Sequence, residues 1–225
     1  MRVSPAGMWN RAARVLGLTG TAVERGRQTA EVLGGEIAAL HANLRSVKYA
    51  GFSDPWAWCA ERSLPLIERH APTAWRELQG LIEGGVDPQV AAELVADYDA
   101  ERGMYSPAWC RSWSRTAGRG EPNMCTTFGI AHGDRLVTGQ NNDELPQHYH
   151  RPGSEALRRR GRAFSDLIVR IDDVENDMEV VAYTHPGYPA KMGMNSFGLS
   201  VQSLYIDDGH ALAIGDAVPF IAIVR

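Results

Sequence analysis

The chain has 225 residues, an apolar share of 44% and a formal net charge of −4, the profile of a globular protein with one large domain or two small ones. The negative charge argues against a general attraction to nucleic acid or to an anionic membrane. The sequence has no apolar run long enough for a membrane helix and no secretory signal, and its three cysteines do not have the spacing of a disulfide framework. We therefore expect a cytoplasmic protein without structural disulfides.

The first part of the chain, up to about residue 102, has a mainly helical pattern. A short strand is predicted over residues 15–19, and apolar residues then recur at helical spacing over residues 22–44. Asp54-Pro55 and Asp87-Pro88 are typical of an N-cap followed by the first helical position, and Gly84-Gly85 is a stop signal. Further helices are therefore predicted over residues 55–70, 73–82 and 88–98.

The pattern changes to short strands after an irregular connector over residues 103–124. Runs rich in Val, Ile, Leu and Phe alternate with Gly, Asn and Asp. A polar loop over residues 144–162 separates the second strand from the third. The predicted strands cover residues 126–131, 135–140, 164–171, 178–184, 190–193 and 199–206.

Residues 125–145 contain the most informative string, which begins Cys-Thr-Thr and later reads Gly-Gln-Asn-Asn-Asp. His132-Gly133-Asp134 is typical of a hairpin turn, because Gly supplies the positive φ that tight turns need. A hairpin here would return Asn141 and Asp143 to the side of Cys125. A thiol, an amide and a carboxylate would then share one small volume. The alternative is a buried structural Cys and a turn-forming Asp, since free Cys is among the most buried residue types.

The compound pattern resembles the acyl-coenzyme A:6-aminopenicillanic acid acyltransferase (isopenicillin-N acyltransferase-like) family of N-terminal-nucleophile cysteine hydrolases. In that family Cys-Thr-Thr opens the mature catalytic chain, and Gly-Gln-Asn-x-Asp closes the first hairpin. Other strings that are similar to family segments lie at residues 15–26, 75–85, 191–201 and 218–225.

The resemblance implies an α+β fold, the N-terminal-nucleophile αββα sandwich. Residues 1–124 would be a mainly helical pro-region or α chain, and residues 125–225 the first part of the catalytic β chain. The sandwich is expected to be incomplete, because the family continues beyond the position of Arg225 into a second sheet and a later oxyanion Asn. The sequence also departs from the family at Met124, where Gly is usual, and at Thr29-Ala30, where His-Gly is usual.

The implied reaction is self-cleavage between Met124 and Cys125, followed by acyl transfer through a thioester on Cys125. The acyl group would come from a small acylated amine, a peptide or an acyl-coenzyme A and pass to water or a small amine. Asp143 would pair with the new α-ammonium group, and Asn141 would donate hydrogen bonds that fix the site. The candidate oxyanion or substrate contacts are Gln202, Ser203 and Tyr205.

The sequence also contains weaker signals for other functions. His148 and His150 lack a second ligand pair, and no glycine string follows the dinucleotide-binding pattern, so neither a metal nor a cofactor is predicted. A sheet with an uncovered face or edge would favour a homo-oligomer or other association. The rival to the enzyme is a chain that is not processed, is catalytically silent and keeps the fold as a binding module.

Overall fold

The computed structural model describes residues 14–48, 55–104, 126–141, 167–203, 218–219 and 222. Within these residues the protein is a mixed α+β structure with a mainly helical N-terminal part. The helices are α1 (Ala22–Lys48), α2 (Pro55–His70), α3 (Pro72–Glu83) and α4 (Pro88–Met104). The strands are β1 (Arg14–Gly20), β2 (Thr126–His132), β3 (Arg135–Asn141), β4 (Leu167–Asp173), β5 (Met178–Thr184), β6 (Met192–Asn195) and β7 (Ser200–Val201).

The helix boundaries follow local capping chemistry. Thr21 and Glu24 form a capping box, in which the Thr21 N–H donates to Glu24 Oε2 at 2.7 Å and the Glu24 N–H donates to Thr21 Oγ1 at 3.3 Å. The hydrogen bond from the Thr21 backbone lowers the pKa of Glu24. The predicted cap of α4 is confirmed, because Asp87 Oδ1 accepts from the Gln89 N–H at 2.8 Å. Gly85 follows α3 with φ of 98°, a conformation that favours glycine.

Two sheets contain the strands of the described residues. A five-stranded sheet has the order β1-β4-β5-β6-β7, in which β1 and β4 are parallel and the other pairs antiparallel. The second sheet is the hairpin formed by β2 and β3. The predicted strands are confirmed at these places with small shifts at their ends. The segment predicted over 199–206 is a strand at Ser200–Val201, and residues 204–217 lie outside the described residues, as does most of the string 218–225.

One face of the five-stranded sheet packs against the helices. Along β4 the alternating residues Leu167, Val169 and Ile171 are buried in the same cluster as Leu33 and Ile37 of α1. This alternation is the period of two that a strand imposes when one face is in the core. None of the described helices is both long and apolar enough to cross a membrane.

A buried ion network joins this sheet to the helices. Arg25 is 1% exposed, and its Nε donates to Glu77 Oε1 of α3 at 2.7 Å. Its Nη1 donates to the Gly20 carbonyl oxygen at 2.7 Å and lies 3.0 Å from Asp173 Oδ1 at the end of β4. One guanidinium therefore connects the end of β1, the end of β4 and α3.

The charges in this network stabilise one another. Burial by itself lowers the pKa of Arg25, but its hydrogen bond and attraction to Glu77, together with Asp173, outweigh burial and raise it. Burial by itself raises the pKa of Asp173, but the hydrogen bond from Asn176 and the charge of Arg25 outweigh burial and lower it. The contribution of Asp173 to stability is therefore present above its unfolded pKa of about 3.9 and is lost as pH falls through the lower folded value.

We predict that Arg25→Leu lowers the free energy of unfolding by about 3–5 kcal/mol, because it leaves two buried carboxylates without their cation. The control is Arg27→Leu on the same helix, which breaks an exposed ion pair with Glu83 and should cost less than about 1 kcal/mol. Urea unfolding followed by circular dichroism measures both changes. Equal losses in the two variants would contradict the assigned importance of the buried network.

The opposite face of the five-stranded sheet carries exposed apolar side chains. Val181 of β5 is 41% exposed and is paired with Met194 of β6, which is 54% exposed. Val15 of β1 is 64% exposed and belongs to the same face, since its partner Ile168 is paired in turn with Tyr183. We name the face that holds these side chains the outer face.

We predict that the outer face mediates self-association, because several apolar side chains there remain in contact with water. Sedimentation equilibrium should show a concentration-dependent dimer, and the double variant Val181→Lys, Met194→Lys should raise its Kd by about tenfold or more, a change of about 1.4 kcal/mol. The control is Val32→Lys, because Val32 is 56% exposed on α1 rather than on the sheet. A monomer at all concentrations, or equal effects of both changes, would refute the assignment.

Candidate functional site

The β2–β3 hairpin predicted around residues 132–134 is confirmed. Thr126 to His132 pair with Asn141 to Arg135 in register, and Gly133 and Asp134 form the turn. Gly133 has φ of 61°, which suits the first turn position of a type II′ hairpin. Packing explains why position 139, the first residue of the Gly-Gln-Asn string, is a glycine. A Cβ there would lie 2.4 Å from Cε1 of Phe128 on the facing strand.

Asn141 closes the open end of this hairpin. It is paired with Thr126, and its side-chain Oδ1 accepts a hydrogen bond from the Thr126 backbone N–H. At this contact Asn141 is an acceptor, whereas the sequence interpretation expected it to donate. Asn141 lies at the end of β3, opposite Thr126, and in the sequence Thr126 follows Cys125 directly.

The remaining residues of the predicted nucleophile site, Met124, Cys125 and Asp143, lie outside the described residues. In the sequence, Cys125 directly precedes Thr126, the first residue of β2. The contact between Cys125 and Asp143 stays a prediction.

The hairpin meets the five-stranded sheet at β7 through side chains. Gln140 donates from Nε2 to the Ser203 carbonyl oxygen, and its Oε1 accepts from the Ser203 N–H at 3.0 Å. Thr138 Oγ1 and Ser200 Oγ are 3.1 Å apart, within hydrogen-bond distance. These contacts bring the end of β7 to the open end of the hairpin.

The three candidates for oxyanion or substrate contacts have different outcomes. Ser203 lies against Gln140, and because its backbone N–H already donates to Gln140, only its hydroxyl remains for that role. Gln202 is half-buried beside it. Tyr205 lies outside the described residues. The structure thus brings Ser203 and its neighbour Gln202 to the end of the hairpin that carries Asn141.

Gln140 is a site residue that the sequence interpretation missed. Its signal was present, since it belongs to the Gly-Gln-Asn string. That string was interpreted only as the end of the hairpin, because its partner Ser203 is 63 positions away in the sequence. Asn195 shapes the turn between β6 and β7, because its Oδ1 accepts from the backbone N–H of Phe197 at 3.1 Å and of Leu199 at 3.0 Å.

A second polar cluster lies where β5 ends. Lys191 Nζ is 2.8 Å from His185 Nε2, and the Tyr188 hydroxyl donates to Asp97 Oδ2 of α4 at 2.6 Å. All four residues are buried, and the cluster ties α4 to the connection between β5 and β6. Within the described residues no three His, Cys, Asp or Glu side chains converge as a metal site requires, and His148 and His150 lie outside those residues.

No protein-family model matches this chain, and no curated protein sequence matches it significantly. The features of this chain that bear on function are the string at residues 125–143 and the hydrogen bonds of Asn141 and Gln140.

We predict that Asn141→Leu increases hydrogen exchange at the Thr126 amide about fivefold, because it removes a hydrogen-bond acceptor with a net value of about 1 kcal/mol. Asn141→Asp is the matched control, since it keeps an oxygen at the same place and should preserve the protection. Exchange monitored by NMR in the folded protein measures both. An unchanged exchange rate of the Thr126 amide in Asn141→Leu would show that the Asn141 side chain does not fix the start of β2.

Proposed function

We propose that the chain is a self-processing cysteine amidohydrolase or acyltransferase of the N-terminal-nucleophile type. The observation that carries the proposal is the hairpin itself, in which the Asn141 side chain binds the first peptide N–H of β2, next to Cys125. A nucleophile at the first position of a strand needs that strand end to be held in place, because acyl transfer depends on a fixed approach to the carbonyl carbon.

The first reaction would be self-cleavage at the bond between Met124 and Cys125. The Cys125 thiolate attacks the Met124 carbonyl carbon, and a carbon–sulfur bond forms as the carbon–nitrogen bond breaks. The released nitrogen takes up a proton and becomes the α-amine of Cys125. Water then hydrolyses the thioester, which leaves a carboxylate on Met124 and a free thiol on Cys125.

The mature reaction would use the same thiol on an external acyl compound. The reference pKa values of a thiol and an α-amine are about 8.5 and 7.7–8.0, so the new amine can share the thiol proton near neutral pH without a catalytic histidine. The thiolate forms an acyl thioester and the substrate's amine or thiol leaves with a proton. Water or a small amine then takes the acyl group. Asp143 would hold the α-ammonium form as its charge partner.

The developing negative charge on the carbonyl oxygen needs hydrogen-bond donors. Beside the open end of the hairpin, Gln140 is hydrogen-bonded to Ser203. Since the Ser203 N–H is already used, the Ser203 hydroxyl and the neighbouring Gln202 amide are the donors that we propose from this segment. Their uncharged character suits an amide or thioester substrate.

The proposed fold is the four-layer αββα sandwich, with residues 1–124 as the pro-region or α chain and residues 125–225 as part of the catalytic β chain. The described helices on one face of a sheet supply two adjacent layers of such a sandwich. The exposed apolar side chains Val181 and Met194 on the outer face support a further layer packed there, because a second sheet would remove them from water.

We predict that Cys125→Ala abolishes self-cleavage, because alanine has no atom that can accept the acyl group. Cys125→Ser should slow it by roughly 10²-fold or more, since a hydroxyl needs a general base and the α-amine is still locked in the Met124 peptide bond. Asp143→Asn should leave Cys125 open to alkylation while it impairs turnover. Intact mass over time and alkylation mapped by mass spectrometry measure these outcomes.

The control is Cys110→Ala, which removes another thiol of the same chain and should cleave at the normal rate. Two fragments that separate before Cys125 support the enzyme. A single intact chain favours the rival function, a silent binding module with the same fold. Normal cleavage in Cys125→Ala would show that an external protease makes the cut.

A further inference from the structure

We infer that Gln140 is a positioning residue that holds Ser203, in the segment directly after β7, in register with the open end of the hairpin. The inference deepens the proposed function and rests on it, because it assigns Gln140 the task of setting the distance between the nucleophile's strand and its oxyanion donors. Gln140 is not placed among the reacting atoms, so it acts through Ser203.

Both functional groups of the Gln140 amide are used in this contact. Its nitrogen donates to the Ser203 carbonyl oxygen and its oxygen accepts from the Ser203 N–H at 3.0 Å. This is the pair of bonds that a backbone residue of a neighbouring strand would make. The side chain thus makes the hydrogen bonds of one β-ladder pair between the hairpin and the segment after β7, while the hairpin and β7 belong to different sheets.

The position of this contact gives it a role that the nearby Thr138–Ser200 contact lacks. Gln140 is adjacent to Asn141, whose side chain holds the Thr126 N–H, whereas Thr138 lies two positions nearer the turn. The neighbouring residues Gln140 and Asn141 therefore bind two different segments. One contact fixes the start of β2, and the other fixes the end of β7 relative to it.

A loss of this register would slow acyl transfer more than it lowers stability. A misplacement of about 1 Å between reacting groups can cost about 10²-fold in rate. The thiol itself would keep its intrinsic reactivity toward a small diffusing reagent, because such a reagent does not need Ser203 or Gln202. Acyl transfer and thiol alkylation should therefore respond differently to a change at Gln140.

Glutamate at position 140 provides a test that depends on pH. An ionised carboxylate can accept from the Ser203 N–H but faces the Ser203 carbonyl oxygen without a proton to donate. A protonated carboxyl group has both an acceptor and a donor and can restore the pair of bonds. The rate of Gln140→Glu relative to the unsubstituted chain should therefore rise as pH falls toward the carboxyl pKa, about 4.3 in an unperturbed side chain.

The experiment compares the unsubstituted full chain with Gln140→Leu, Gln140→Glu and Thr138→Val. Self-cleavage is followed by intact mass, alkylation of Cys125 by iodoacetamide with peptide mapping, and stability by the Tm. We expect Gln140→Leu to slow self-cleavage by about 10–100-fold while Cys125 alkylation changes by less than about twofold. Thr138→Val, which breaks the other contact between the same two segments, should change the cleavage rate by less than about threefold.

Gln140→Glu should cleave slowly at pH 8, and the ratio of its rate to the unsubstituted rate should rise several-fold by pH 5, where about a sixth of carboxyl groups with a pKa of about 4.3 are protonated. Equal losses in Gln140→Leu and Thr138→Val, or a ratio for Gln140→Glu that does not vary with pH, would overturn the positioning role alone. An unsubstituted chain that shows no Cys125-dependent cleavage would overturn the proposed function and this inference with it.

Discussion

The buried guanidinium of Arg25 is the interaction on which the rest of the fold depends. Gly20 and Asp173 form the last pair of the parallel β1–β4 ladder, and Arg25 binds the carbonyl oxygen of one and the carboxylate of the other. Strands β1 and β4 are 153 positions apart along the chain at this point. A charge buried at that junction needs both carboxylates in place, so it penalises any other register of the two strands.

The position of β4 at this junction determines where the remaining strands of the sheet lie. Because β4 is held between β1 and β5, the antiparallel strands β5, β6 and β7 extend the sheet on the side away from β1. The end of β7 then reaches the hairpin that carries the candidate site. The hairpin is attached there through the side chains of Gln140 and Thr138 rather than through a backbone ladder, and we propose that the Gln140 contact sets the geometry of the candidate site.

The alternation of side chains along β3 explains how one short segment serves two contacts. Side chains of neighbouring residues in a strand point to opposite faces, so Gln140 and Asn141 bind different partners. The covered and outer faces of the five-stranded sheet follow the same rule, with Val169 in the core and Val181 and Met194 in contact with water. A second sheet on the outer face, covered by its own helices, would complete the four layers of the proposed sandwich.

The sequence alone determined the elements whose causes are local. The helices, the Asp87 cap and the turn at Gly133 were all predicted, because capping and turn formation depend on residues a few positions apart. The turn residues predicted the hairpin, and the register of the hairpin places Asn141 opposite Thr126. The site at Cys125 and Asp143 remains a prediction from the string itself.

Only the tertiary structure decided the contacts between distant segments. The parallel pairing of β1 with β4, the Arg25 network and the partnership of Gln140 with Ser203 have no signal in spacing or composition. Each side chain could satisfy its hydrogen bonds in many ways in an isolated segment. The choice among those partners is made when the core excludes water, because a buried polar group must then bond to whichever distant residue the packed strands bring beside it.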